Sequence, residues 1–226
     1  MSKAIKIFFL LIIVTIVFNK QLLTYYYSYK FSKWVERKFV FDEFLIDYPN
    51  SIIVYGTKIK NSNPFYYENI FESEKITLSF DVKSLLFSNL IIINNLTIES
   101  PIFFLDIIES NKDLAEGEKS SKVYDDNIGL AKKINENIPD KIWPPKKRDI
   151  NFLILKAQIT GAKALIKVSS FERPTETKLS DMYFNKIGNE KNYQHYKEVL
   201  KLILFDIMAR TTNFELKGLL RKIYKY

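Results

Sequence analysis

The sequence predicts an α+β protein that is mainly antiparallel β. It has an N-terminal transmembrane helix, a twisted sheet with one apolar face, and a C-terminal helical pair on or near that sheet. Three observations carry this. Residues 75–83 alternate with a period of two: Ile76, Leu78, Phe80 and Val82 point one way, and Lys75, Thr77, Ser79, Asp81 and Lys83 the other. Leu153, Leu155, Ala157 and Ile159 repeat that pattern. Tyr196, Val199, Leu200, Ile203 and Ile207 instead recur at spacings of three and four, the period of a helix.

The chain has 226 residues, 47% of them hydrophobic and 15% aromatic, which is enough to bury a core. Its formal net charge of +8 is spread along the chain with no DNA- or RNA-recognition motif, so nucleic acid is not expected as a partner. With no cysteine, disulfides and thiolate metal sites are excluded.

Residues 1–27 read as a membrane anchor. Ala4–Phe18 (AIKIFFLLIIVTIVF) is the most apolar stretch, and as a helix it spans only about 22 Å. Extended to Tyr27 it reaches about 36 Å, enough for a hydrocarbon core of about 30 Å, with Lys6 and Lys20 snorkelling and Tyr25–Tyr27 at the interface. The rival is a cleaved signal peptide, but the residues after the apolar core offer no small-residue cleavage site. Counting positive charges on either side of the span keeps the body in the cytoplasm. Residues 28–38 form a basic, aromatic connector suited to anionic headgroups or to a solvated linker.

Residues 39–108 form a first β section. Phe39–Asp47 and Ile52–Lys60 pair across the turn Tyr48-Pro49-Asn50-Ser51, with Gly56 at a bulge position. Lys75–Lys83 follows, then a turn at Ser84–Asn89, a strand at Leu90–Glu99, an interruption at Ser100-Pro101, and an extended run at Ile102–Ile108. Residues 109–148 read as a variable polar linker, with a short helix within Ile128–Ile142 and a stiff break at Trp143–Arg148. Residues 149–192 return to strands: Asp149–Ser170 turns at Gly161, and Thr177–Lys186 forms a further strand. Residues 193–226 are helical, and in the last segment Phe214, Leu219, Leu220 and Ile223 oppose Lys217, Arg221, Lys222 and Lys225.

No catalytic constellation is present. His195 is the only histidine, so neither a Ser/His/Asp triad nor a multi-histidine metal site is supported. No glycine-rich phosphate loop occurs. Asp125-Asp126 reads as a solvated pair in a polar linker. No enzyme activity, metal or cofactor is expected.

Asn63-Pro64 near a strand end, the entry Ile70-Phe71-Glu72, the turn Ser84-Leu85-Leu86 and the step Ser100-Pro101 together resemble the AsmA-like proteins. These are bacterial envelope proteins related to TamB and, distantly, to the bridge-like lipid transfer proteins. The resemblance returns at Asp149–Ser170 with its Gly161-Ala162-Lys163 corner, and covers roughly Phe41 to Asn185. It implies a body facing the periplasm from the bacterial inner membrane, against the charge count. It also implies handling of phospholipid or support of outer-membrane assembly, with other envelope proteins or self-association as further partners. The apolar sheet face would then contact acyl chains through Ile76, Leu78, Phe80, Val82, Ile92, Leu153, Leu155 and Ile166. The alternative is a structural or interaction protein of the envelope, its sheet closed by Tyr193–Tyr226 and carrying no lipid. Strands of about eight residues are about 26 Å long, too short for one copy to bridge an envelope.

Overall fold

A computed structural model describes residues 21–33, 37–61, 65–88, 90–111, 122–129, 151–188 and 194–224. Helix α1 occupies 21–33. The strands are β1 (Phe39–Val40), β2 (Glu43–Asp47), β3 (Ser51–Lys60), β4 (Asn69–Phe80), β5 (Leu90–Glu99), β6 (Ile102–Asn111), β7 (Lys122–Asp126), β8 (Asn151–Thr160), β9 (Lys163–Val168), β10 (Thr175–Lys178) and β11 (Met182–Gly188). Helix α2 (Val82–Phe87) lies between β4 and β5, and α3 (Tyr196–Arg210) and α4 (Phe214–Tyr224) end the described chain. The expected anchor as far as residue 20, and the expected helix and proline break beyond Gly129, lie outside the described residues. Among the described residues, no helix is long and apolar enough to cross a membrane.

All eleven strands join one sheet, in which β4 is flanked by β3 on one side and by β5 and β6 on the other. The sheet is α+β as expected but mixed rather than wholly antiparallel. β5 pairs parallel with β8, and β6 parallel with β9. Parallel pairing needs a long return connection, and the stretch between β6 and β8 supplies it.

β5 and β6 behave as one long strand, as do β8 and β9. Leu90 stands beside Asn151 and Ile102 beside Lys163, both pairs 61 positions apart, so the register survives the interruptions at Ser100-Pro101 and Gly161-Ala162. Ser100 N–H donates to the Thr160 carbonyl at 2.8 Å, and Lys163 N–H to the Pro101 carbonyl at 2.8 Å. Ser100 (φ 48°), Gly161 (φ 64°) and Gly56 in β3 (φ 59°) are all left-handed. A left-handed residue takes up one position of the pleat, as at a bulge, so the alternation changes phase there. Leu96 and Ile98 pack on the core before Ser100, and Phe103, Leu105 and Ile107 join it after. Ala157 and Ile159 do the same before Gly161, and Ala164, Ile166 and Val168 after. The sheet thereby bends at one level while one face stays apolar.

Several boundaries differ from the sequence reading. β4 stops at Phe80, because Asp81 caps α2: its Oδ1 accepts from Ser84 N–H at 2.8 Å. Val82 is therefore helical, and Ser84–Phe87 belongs to a helix rather than a turn. The first strand divides into β1 and β2 around buried Phe41. The expected strand Thr177–Lys186 divides into β10 and β11 because α3 holds the break, Asp206 accepting from both Ser180 N–H (2.7 Å) and its hydroxyl (2.9 Å). The expected polar linker contains the end of β6 and the whole of β7, whose Lys122 pairs with Glu109. The basic connector is helical as far as residue 33 and packs inward.

The main core lies where α3 and α4 cover β6, β8, β9 and β11. Leu216 and Leu220 are fully buried, and Ile203, Ile207, Ile223 and Ile166 nearly so. A second cluster of Phe41, Phe44 and Val54 lies under α1.

Candidate functional site

Cross-strand pairing places two apolar rows side by side on the covered face. One runs Ile46, Ile52, Leu78, Leu96, Ala157, Phe184, and the other Phe44, Val54, Ile76, Ile98, Ile159, Met182. The neighbouring row on the opposite face is largely polar: Glu43, Tyr55, Lys75, Glu99, Thr160. Lys75 and Glu99 form a 3.0 Å ion pair there, a surface contact of little energetic weight. The period-two reading of this region is thus realised across six strands.

Helical walls stand at both sides of the apolar rows. On one side Leu23, Tyr27 and Phe31 of α1 lie four residues apart, on one helix face, and pack against the cluster of Phe41, Phe44 and Val54. Tyr27 stacks on Phe44 with ring centroids 4.4 Å apart. On the other side α3 packs on β10 and β11. Between the walls Ile76, Leu78, Leu96 and Ile98 are only half-buried, so this part of the face forms a shallow apolar trough.

Of the residues expected to line the face, Ile76 and Leu78 lie on it. The alternation breaks at Leu155: Ile93, Ile154 and Ile187 stand side by side, and Ile154 and Ile187 pack on the main core, so Ile92 and its neighbour Leu153 fall on the other face; Leu153 is buried and Leu155 is exposed. Phe80 sits at a register shift opposite Ile93, half-buried. Val82 projects from α2, where it is exposed. Ile166 lies beyond the bend, inside the core under the C-terminal helices, and is only 1% exposed. Leu96 and Ile98 went unnoticed because the run Leu90–Ile93 hides the phase of β5. The wall from α1 went unnoticed although Leu23, Tyr27 and Phe31 carry a helical spacing.

A separate cleft of about 490 Å³ lies at the bend, lined by residues including Gly56, Lys58, Glu72, Glu74, Ser100 and Lys163. Its charged flanks make it unlike the trough.

A buried polar cluster was not foreseen. Asp106, 2% exposed, accepts on Oδ2 from Tyr67 N–H (2.9 Å) and Asn61 Nδ2 (3.2 Å), while its Oδ1 has no partner among the described residues. Asn127 bridges to Phe104 and Asp106, and Arg37 Nη2 donates to the Asn127 carbonyl at 2.7 Å. Asp126, expected to be solvated, is 3% exposed and accepts from the Tyr224 hydroxyl at 2.8 Å, while Asp125 is exposed. Burial next to the Asp126 carboxylate drives the Tyr224 hydroxyl well above its ordinary pKa. Burial, then the charge of Asp106, pushes Tyr67 up to about 12. The cluster ties the α1–β1 connection, the β3–β4 connection, β6 and α4 together. Among the described residues, no group of acidic or histidine side chains could hold a metal.

Burial also pushes Asp106 above its ordinary value, against the opposing effects of Tyr67 N–H and Lys167. The folded chain therefore holds this proton more tightly than the unfolded one. Its contribution to stability is complete below the unfolded aspartate value of about 3.9 and is lost as pH rises through the folded value. Asp106→Asn has no such proton to lose. Its stability, followed by urea titration, is expected to fall less between pH 4 and pH 7 than that of the wild type.

Comparison with protein-family models, with curated proteins and with solved structures returned no match.

Proposed function

We propose that the chain is a non-enzymatic, membrane-anchored envelope protein whose apolar trough contacts the acyl chains of phospholipid. The observation that carries this is the middle of the two apolar rows, where Ile52, Ile76, Leu78, Leu96 and Ile98 are left half-buried between two helical walls. A sheet face of this kind needs a cover, which is supplied by helices, another sheet or a ligand. Placement at the bacterial inner membrane, facing the periplasm, and a role in outer-membrane assembly rest on the resemblance to AsmA-like proteins. β4, at 12 residues, is only about 40 Å long. One copy therefore works at one membrane surface. The closed core around Ile166 favours a second reading, a scaffold without cargo, for the half of the sheet beyond the bend.

A photoreactive amino acid at Leu78 or Leu96 in the full chain, irradiated in its native membrane, tests the reading. Mass spectrometry is expected to find phospholipid adducts at both positions and none at Thr77 on the opposite face. Adducts to protein alone at Leu78 and Leu96 would favour the scaffold.

A further inference from the structure

We infer that the end of the sheet formed by the β2–β3 turn and α2 is a membrane-docking lip, and that its partner is the surface of a phospholipid bilayer. Four side chains carry the chemistry. Ile46 is 61% exposed, Tyr48 90%, Val82 39% and Phe87 86%. Single exposed apolar residues are commonplace; several on adjoining segments at one end of a sheet are not. The segments do adjoin: Phe80 N–H donates to the Asn50 carbonyl at 2.8 Å, placing the turn beside the start of α2.

The direction of α1 identifies the partner. Phe31 packs on Phe39 with ring centroids 5.3 Å apart, and Phe39 lies opposite Ile59. One turn earlier, Tyr27 stacks on Phe44, which lies opposite Val54. Followed backwards, α1 thus runs along β3 from Ile59 towards Ile52 and the turn. Leu23, a further turn back, joins the same cluster. The start of the described helix therefore reaches the lip end, and the residues before it include Ala4–Phe18, the most apolar stretch of the chain. On the membrane attachment proposed above, the bilayer is therefore placed next to the lip. An aromatic and aliphatic edge with a tyrosine at its tip suits the headgroup–acyl boundary. The same row that begins at exposed Ile46 continues through Ile52 and Leu78 into the trough, so the lip opens directly onto it. The inference rests on the membrane attachment in the proposed function but is independent of whether the trough carries cargo.

The chain has no cysteine, so single labelling sites need no background removed. Phe87→Cys and Tyr48→Cys are introduced singly into the full chain, labelled with an environment-sensitive nitrobenzoxadiazole dye, and reconstituted into phosphatidylcholine–phosphatidylglycerol vesicles. Tyr66→Cys, on the β3–β4 connection at the opposite end and 64% exposed, is the reference. Emission from 87 and 48 is expected to shift to the blue and to be quenched severalfold more than that from 66 by lipids bearing nitroxides on their acyl chains. Labels at 87 and 48 that stay in water would overturn the inference. So would a blue shift without nitroxide quenching, which marks a protein partner, and so would equal quenching at 66, which marks a chain lying flat. A quenched lip without lipid adducts at Leu78 keeps the docking surface and removes the cargo. Adducts with a wet lip do the reverse.

Discussion

Ile166→Asp is expected to abolish the cooperative thermal transition followed by circular dichroism. Ile166 is 1% exposed and packs in the core that α3 and α4 close over β6, β8 and β9. Ile166→Ala alone should cost about 2–5 kcal/mol, from lost transfer energy plus the cavity left behind. An unpaired carboxylate in the same place adds the penalty of burying a charge. Against a total stability of about 5–15 kcal/mol, the sum is enough to unfold the domain. Leu78→Asp sets the contrast. Leu78 faces the half-buried trough, where a carboxylate can still reach water. Its loss should be about 1–3 kcal/mol with the transition retained, and lipid adducts at Leu96 should disappear. If both substitutions unfolded the protein equally, the trough would be closed core and the cargo reading would fall.

Gly56→Ala is expected to be the costliest of the small substitutions. Gly56 has φ 59°, and an added Cβ would collide with the Asp42 carboxylate. The left-handed backbone alone costs an L-residue about 1–2 kcal/mol. Displacing Asp42 adds to this, because its N–H is bonded to the Tyr55 carbonyl at 2.9 Å where β1 passes to β2. Gly218→Ala supplies the opposite sign. Gly218 lies inside α4, and a Cβ there meets nothing within 4 Å. Replacing it should stabilise the fold by about 0.5–1 kcal/mol, the usual gain from glycine to alanine in a helix. Chemical denaturation of both variants beside the wild type gives the two signs directly.

The strands with clean alternation were legible in the sequence. Lys75–Ser79 is a strand with the expected faces, Leu153–Ile159 is a strand whose alternation breaks at Leu155, and Gly161 and Ser100-Pro101 are where the chain bends. Boundaries failed where a side chain in or beyond the strand decided them. Asp81 stops β4 by capping a helix, and Asp206, distant in sequence, splits β10 from β11. The candidate site was half legible. Ile76 and Leu78 share the trough and Phe80 sits at its register shift, but Ile92 and Leu153 fall on the other face beyond the break at exposed Leu155, Val82 left for α2 and Ile166 for the closed core.

By itself the sequence determined the local periods: which stretches expose alternate side chains, which repeat every three or four, and where serine, proline and glycine break them. These follow from backbone geometry within a few residues. Only the tertiary structure decided which strands are parallel, that the breaks in β3, β5–β6 and β8–β9 align into one bend, and which half of the apolar face is closed by helices. Those outcomes depend on contacts between residues far apart in the chain, Leu90 with Asn151 and Tyr224 with Asp126 among them, and no short-range pattern encodes such pairings.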